Sequence, residues 1–245
     1  MNRSSKRLLP LGTLVGLWLS ANGSYAQVPA PKLTPAQIAA SEAMAASFDR
    51  SEAWEQARLA NFKGRPLGSV IQRTFNIGAN YLLMAAQMMP ESAYGFRPTL
   101  DVRTFGEQIN HSTSSHYSFC NQGGQPAGVT RQASPPVATL QTKAQIVKAL
   151  EDSIAYCNSI LQAGTEAWLM EVVPRVGGSS SGLIEGIRAH AFLYNNVHDT
   201  EDYGTITTYL RMNGIVPPSS ALHAAPAPRG GTAPGTAGGS RGAVR

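Results

Sequence analysis

The chain has 245 residues, of which 42% are hydrophobic and 7% aromatic, so it can bury a core and is not disordered along its whole length. The formal net charge is +5, from 20 Lys and Arg against 15 Asp and Glu. Six of the basic residues lie in the first ten and last twenty positions, where there is no acid. The part between them is therefore close to neutral, and we expect no nucleic-acid partner.

Residues 1–26 have the pattern of a secretory signal peptide. Three basic residues precede an apolar run over residues 8–19, and the ending Ser24-Tyr25-Ala26 predicts cleavage before Gln27. The apolar run is shorter than the roughly 20 residues that a membrane-spanning helix needs. We expect a secreted or periplasmic protein with no stable membrane anchor after cleavage, in an oxidising compartment.

Residues 27–65 are expected to form a linker and an extra helical segment. Thr34 is typical of a helix N-cap, and Pro35 suits the first helical position. A stretch rich in Ala, Glu and Gln then continues the helical pattern towards Asn61. At the other end of the chain, residues 221–245 are mostly Ala, Gly and Pro, which predicts a disordered tail.

Residues 66–220 are expected to form one helical domain. Apolar residues recur there at helical spacing in four long stretches, and runs rich in β-branched residues are few. Thr142 and Gln145 match a capping box at the start of the third stretch. The pattern predicts an all-α fold, a four-helix bundle. The predicted helices span about residues 67–89, 102–120, 143–161 and 183–213.

The fourth predicted helix carries polar residues on its apolar stripe. Burial of His198 and Asp202 is costly unless both are hydrogen-bonded or bound to a metal. Their spacing of four places both side chains one turn apart, where they can hold one ion together with a ligand from another helix. The same spacing suits a His–Asp hydrogen-bonded pair at a solvated edge. Periodicity alone favours this pair over a metal site. The stripe contains Leu183, Ile187, His190, Tyr194, His198, Asp202, Ile206 and Tyr209.

Part of the sequence resembles the DinB-like family of four-helix bundles. The similar segments are residues 89–99 (MPESAYGFRPT), residues 102–106 (VRTFG) leading to His111, and two stretches within residues 198–218, HDTEDYG and YLRMNGIVPP. The likeness covers about residues 66–220. It implies a divalent metal held by three histidines, one on the second helix and two at i,i+4 on the fourth. Carried over by position, the ligands are His111, His198 and Asp202, the last a departure from the family's histidine.

Periodicity and the resemblance nominate different histidines on the second helix. At about 100° per residue, His116 shares the apolar face of Ile109, whereas His111 points away from it. We adopt His111, which the resemblance implies. Two imidazoles and a carboxylate suit zinc, manganese, iron or nickel.

Two function classes remain open on these residues. A metal-bound water would suit a metal-assisted hydrolase or transferase with a small-molecule substrate that the sequence does not identify. The alternative is a non-catalytic bundle that binds a ligand or a protein without a metal. A homodimer is compatible with both.

Cys120 and Cys157 are the only cysteines, and we expect them to form a disulfide. They lie at the end of the second helix and within the third, which a bundle can bring together. Closing this loop contributes about 4 kcal/mol on the chain-entropy model.

A competing motif is G-x-S-x-G at Gly178–Gly182. It offers Ser180 as a nucleophile, with Asp199 and His223 in the chain order of an α/β-hydrolase. That motif requires a preceding strand in a parallel sheet, which the helical pattern does not predict. A flexible Ser/Gly linker is the simpler interpretation.

Overall fold

The computed structural model describes residues 27–47, 64–176 and 184–224. It confirms a mostly helical, all-α fold. The predicted signal peptide, the predicted helical stretch over residues 48–63, the Ser/Gly linker and residues 225–245 lie outside these ranges. The α-helices are α1 (Pro35–Ser47), α2 (Pro66–Met88), α3 (Phe105–Gly123), α4 (Lys143–Ala163), α5 (Glu166–Leu169), α6 (Ala189–Met212) and α7 (Pro218–Ala224), and the strands are β1 (Val172–Val176) and β2 (Ile184–Ile187).

The predicted helix starts at Thr34 and Thr142 are confirmed. The Thr142 hydroxyl accepts a hydrogen bond from Gln145 N at 3.2 Å, and Gln145 Oε1 accepts one from Thr142 N at 3.1 Å. Thr34 and Gln37 make the same reciprocal pair before α1. These side chains satisfy amide groups that have no partner inside the helix.

The second long helix is displaced from its predicted bounds. It begins at Phe105 because Thr104 and Glu107 form another capping box, with bonds of 3.2 and 2.7 Å. It continues through Gly123, so the following loop begins at Gly124, whose φ of 82° favours glycine.

The prediction of a helix from Leu183 is wrong at its start. Residues 184–187 form β2, which pairs antiparallel with β1, and α6 begins only at Ala189. Val172 faces Ile187 in this hairpin. The apolar spacing at residues 183 and 187 fits one helical turn equally well, so periodicity did not distinguish the two structures.

The prediction of disorder from residue 221 is wrong for residues 221–224, which complete α7. This helix packs on α1 and α2. The Ser219 backbone amide donates to the Tyr203 hydroxyl at 2.9 Å, which attaches α7 to α6.

The four long helices pack in a closed ring around one core. Helices α2 and α3 each pack against both α4 and α6. Helices α2 and α6 run parallel, because Ile71 contacts Asn196 and Tyr81 contacts Tyr203. Helices α3 and α4 are also parallel, with contacts between residues 106 and 146 and between residues 120 and 157. Helices α3 and α6 are antiparallel, with contacts between residues 108 and 202 and between residues 119 and 194. Burial of a large apolar side chain contributes about 1.5–3 kcal/mol. The fully buried apolar residues include Ile71, Phe75, Leu82, Ile109, Leu150, Ile160, Phe192 and Ile206.

Cys120 and Cys157 are brought to disulfide distance between α3 and α4. Their Cα atoms are 5.6 Å apart, and both residues are fully buried. The pair joins the second and third of the four long helices. Among the described helices, none has the length and apolar character to cross a bilayer.

Candidate metal centre

His111, His198 and Asp202 converge where α3 packs against α6. One potential ligand atom from each lies within 4.8 Å of the other two. The ring centroids of the histidines are 5.0 Å apart, and His198 Nδ1 lies 3.3 Å from Asp202 Oδ2. Two ligands of one ion lie at most about 4 Å apart, so binding requires side-chain shifts of about 1 Å. The structure thus brings together the three nominated residues.

The two helices explain this convergence. His198 and Asp202 are one turn apart on α6, so both side chains lie on the same side of that helix. His111 lies in the second turn of α3, just after the Thr104 cap fixes the start of that helix. All three ligand positions are therefore on regular helices that pack on each other, which limits their movement.

Asp202 is oriented by two further residues of α3. Gln108 Nε2 donates to Asp202 Oδ1 at 2.7 Å, and the Ser112 hydroxyl donates to Oδ2 at 2.6 Å. All three side chains are buried. Hydrogen bonds of this kind hold a ligating carboxylate in position. Gln108 is not among the residues predicted from the sequence; its position one turn before Ser112 is the signal that could have identified it.

The two histidines are suited to binding a metal. Burial lowers the pKa of His111, and Arg103 and His198 act in the same direction while Asp202 opposes them. A lower pKa favours the neutral imidazole, the form that coordinates metals. His198 Nδ1 is buried and makes no hydrogen bond to the described residues. Its neighbour is Asp202 Oδ2 at 3.3 Å, and a metal held by both side chains would satisfy the nitrogen.

His116 lies outside this group. Its ring is fully buried, with Nδ1 2.8 Å from Ser153 Oγ and Nε2 2.9 Å from Asp199 Oδ1. Both ring nitrogens are thus engaged. Periodicity identified His116 because periodicity locates the core-facing side of a helix, whereas His111 lies at the edge of that side.

The competing serine-nucleophile interpretation lacks support from the described residues. Ser180 lies outside them, and Asp199 is paired with His116. The strands that the structure describes form an antiparallel hairpin, whereas the motif requires a parallel sheet. Residues 221–224, including His223, belong to α7.

A surface groove of about 510 Å³ opens beside His111. The groove lies between α3, the short 3-10 turn at Val137–Thr139 and the start of α4. His111 belongs both to this groove and to the cluster with His198 and Asp202. A molecule in the groove would therefore contact a candidate metal ligand.

The site is defined by this geometry. Its three candidate ligands come from two neighbouring helices, and its buried carboxylate has two fixed hydrogen-bond donors.

No model of a known protein family matches the chain, and no curated protein matches it significantly.

Proposed function

We propose that this chain is a DinB-like four-helix bundle that binds one divalent transition metal through His111, His198 and Asp202. The observation that carries the proposal is the approach of three ligand atoms, from two helices, to within 4.8 Å of one another. One ligand lies on the second of four long helices and two lie at i,i+4 on the fourth. This is the arrangement that the sequence resemblance implies.

The packing of the resembling segments supports the same assignment. Gly106 N donates to Tyr94 O at 2.9 Å, which joins the first segment to the second. The Tyr209 hydroxyl donates to Arg103 O at 2.6 Å, which joins the last segment to the second. Segments more than a hundred residues apart in the chain thus meet near the start of the helix that carries His111.

The donor set determines the chemistry available to a bound metal. Such an ion supplies a Lewis acid and lowers the pKa of a coordinated water. Three protein ligands leave coordination positions open. Asp202 makes the set harder and more anionic than three histidines, which favours manganese or iron relative to zinc. We propose metal-assisted hydrolysis or group transfer on a small molecule, in a secreted or periplasmic protein; the Cys120–Cys157 pair supports an oxidising compartment.

Metal titration of chelator-stripped protein tests the proposal. Zinc, manganese, iron and nickel are titrated by calorimetry, and the metal content is checked by elemental analysis. We expect one ion per wild-type chain, none in His198→Ala and tighter zinc binding in Asp202→His. Ser112→Ala should weaken binding about tenfold because it frees the Asp202 carboxylate. His190→Ala, on the same helix but outside the cluster, is the control that should retain the ion.

A metal-free ligand-binding bundle is the second candidate, and one observation favours it. Both Asp202 oxygens already accept hydrogen bonds, so the carboxylate is satisfied within the protein. A ligand that binds only the folded state raises the melting temperature. If none of the four metals binds stoichiometrically and none raises the melting temperature, the metal proposal is wrong and the second candidate stands.

A further inference from the structure

We propose that the groove beside His111 binds a small organic anion with an apolar body. The anionic group pairs with Arg103, and the other end of the molecule reaches His111. The inference rests on the proposed function in one respect, because the ligand would contact a metal bound by His111 only if that metal site exists.

The groove has the size and walls of a small-molecule site. Its volume of about 510 Å³ lies within the roughly 300–1,000 Å³ that is usual for such sites. Val137, Leu140 and Ile146 supply apolar wall, and the first three turns of α3 supply the opposite, polar side. A molecule with an apolar body and a polar end matches this division.

Asn110 provides a specific polar point inside the groove. The residue is only 8% exposed, and its Nδ2 donates to Val137 O at 2.9 Å, which fixes the apolar wall against α3. Its Oδ1 is buried and has no hydrogen-bond partner among the described residues. Asn110 thus holds the apolar wall of the groove against the polar side of α3.

The groove contains one arginine whose hydrogen-bond donors can bind an anion. Arg103 is exposed, and its guanidinium makes no hydrogen bond or ion pair within the described ranges. Glu107, the acidic residue of the lining, is engaged in capping α3, where its Oε2 accepts from Thr104 N at 2.7 Å. Glu107 keeps its negative charge, which interacts with that of Arg103, but the hydrogen-bond donors of the guanidinium remain available to a ligand.

Helical geometry connects the groove to the candidate metal centre. Glu107, Asn110 and Ser114 recur at three or four residues and share the groove face of α3, and Arg103 lines the same groove just before the Thr104 cap. His111 lies beside that face, on the side towards α6, and its ring is 5.0 Å from that of His198. A ligand that fills the groove from Arg103 therefore ends against the cluster.

Binding of two matched probes to metal-free protein tests the inference. Phenylacetate and the neutral phenylacetamide are titrated into ¹⁵N-labelled protein and followed by amide chemical shifts. Without a metal, the carboxylate cannot bind through coordination. We expect saturable shifts at groove residues, with phenylacetate binding about tenfold more tightly than the amide.

Three variants locate the interaction. Arg103→Gln should abolish the preference for the carboxylate, and Ala138→Trp, at an exposed lining position, should weaken both probes by narrowing the groove. Arg131→Gln alters an exposed arginine that lines a separate cavity and should change neither affinity. The absence of saturable binding up to about 10 mM, shifts centred elsewhere, or unchanged selectivity in Arg103→Gln would each overturn the inference.

A zinc titration of the same samples separates the two proposals. Arg103→Gln and Ala138→Trp are expected to bind zinc, since neither position belongs to the cluster. Zinc binding without probe binding would overturn the groove inference alone. Probe binding by wild-type protein that takes up none of the four metals would overturn the proposed function and leave the anion-binding groove in place.

Discussion

His116 connects three helices through a buried polar network. The Ser153 hydroxyl donates to Leu150 O at 2.7 Å, so it accepts from His116 Nδ1, and Asp199 faces Nε2 on the other side of the ring. Burial raises the pKa of Asp199, and the adjacent His116 opposes this rise. The network joins α3, α4 and α6 in the interior and includes none of the three candidate metal ligands.

Replacement of His116 by alanine should strongly destabilise the protein. The variant leaves Asp199 buried without its hydrogen-bond partner, which costs about 3–5 kcal/mol. The free energy of unfolding in urea measures the loss. His190→Ala, at a half-buried position of α6, should cost less than about 1 kcal/mol. Equal losses in the two variants would contradict a structural role for the buried network.

The candidate site could be predicted only in part from its residues. The spacing of four between His198 and Asp202 indicates a shared helix face, whereas the choice of His111 depended on the family resemblance. Gln108 and Asp199 could not be assigned, because hydrophobic periodicity treats buried positions as apolar and cannot show which polar side chains pair across helices.

At the scale of the element, α6 buries four polar side chains in the middle of its core-facing side. Asn195, Asn196, Asp199 and Asp202 are each at most 5% exposed. The apolar pattern placed His198 at the centre of the buried stripe, but its side chain is 17% exposed and lies at the edge. The buried face is rotated towards the polar residues because they find partners on α2 and α3. This rotation leaves His198 accessible from the surface.

The cap of α3 should make the stability of this helix pH-dependent. Hydrogen bonds from Thr104 lower the pKa of Glu107, and Arg97 and Arg103 add to the effect. Because folding depresses this pKa, the stabilisation is present above the ordinary carboxyl pKa and is lost as the pH falls through the folded-state value. Thr104→Ala should therefore cost about 1 kcal/mol at neutral pH and less at about pH 3, measured by urea unfolding.

The cap of α4 supplies a matched control, since its partner residue is neutral. Thr142→Ala removes a cap made with Gln145, so its cost should not follow the titration of a cap carboxylate. Glu107→Gln keeps the amide-accepting geometry of the α3 cap and should abolish its pH dependence. A Thr104→Ala cost that is unchanged between the two pH values would show that the Thr104 side chain does not stabilise the Glu107 carboxylate.

At the scale of the whole molecule, truncations should locate the C-terminal limit of the fold. Residues 225–245 are rich in Ala, Gly and Pro, so we expect their removal to leave the melting temperature unchanged. Removal from Pro218 onward also deletes α7 and the Ser219 bond to Tyr203. It should lower the melting temperature by several degrees, since 1 kcal/mol corresponds to about 2–4 °C. Calorimetry of the two truncated chains distinguishes the cases; an equal fall in both would contradict the limit at Ala224.

The fold was more predictable than its connections. The cap at Thr142 and the apolar periods of α2 and α4 determine those helices locally, so sequence reasoning located them. The pairing of residues 172–176 with residues 184–187 could not be recognised, because β1 and β2 are stabilised by each other rather than by a local pattern. Similarly, α7 is held by contacts with α1 and α2 that composition does not reveal.

The ring arrangement also sets the order in which the chain can complete its core during synthesis. Helix α2 packs mainly on α4 and α6 rather than on α3, its successor in the chain. About a hundred residues separate the end of α2 from the start of α6. The apolar side of α2, with Ile71, Phe75 and Leu82, therefore stays uncovered until most of the polypeptide has been made. A nascent chain arrested before residue 189 would expose this surface, so arrested chains should aggregate or recruit a chaperone more readily than released full-length protein.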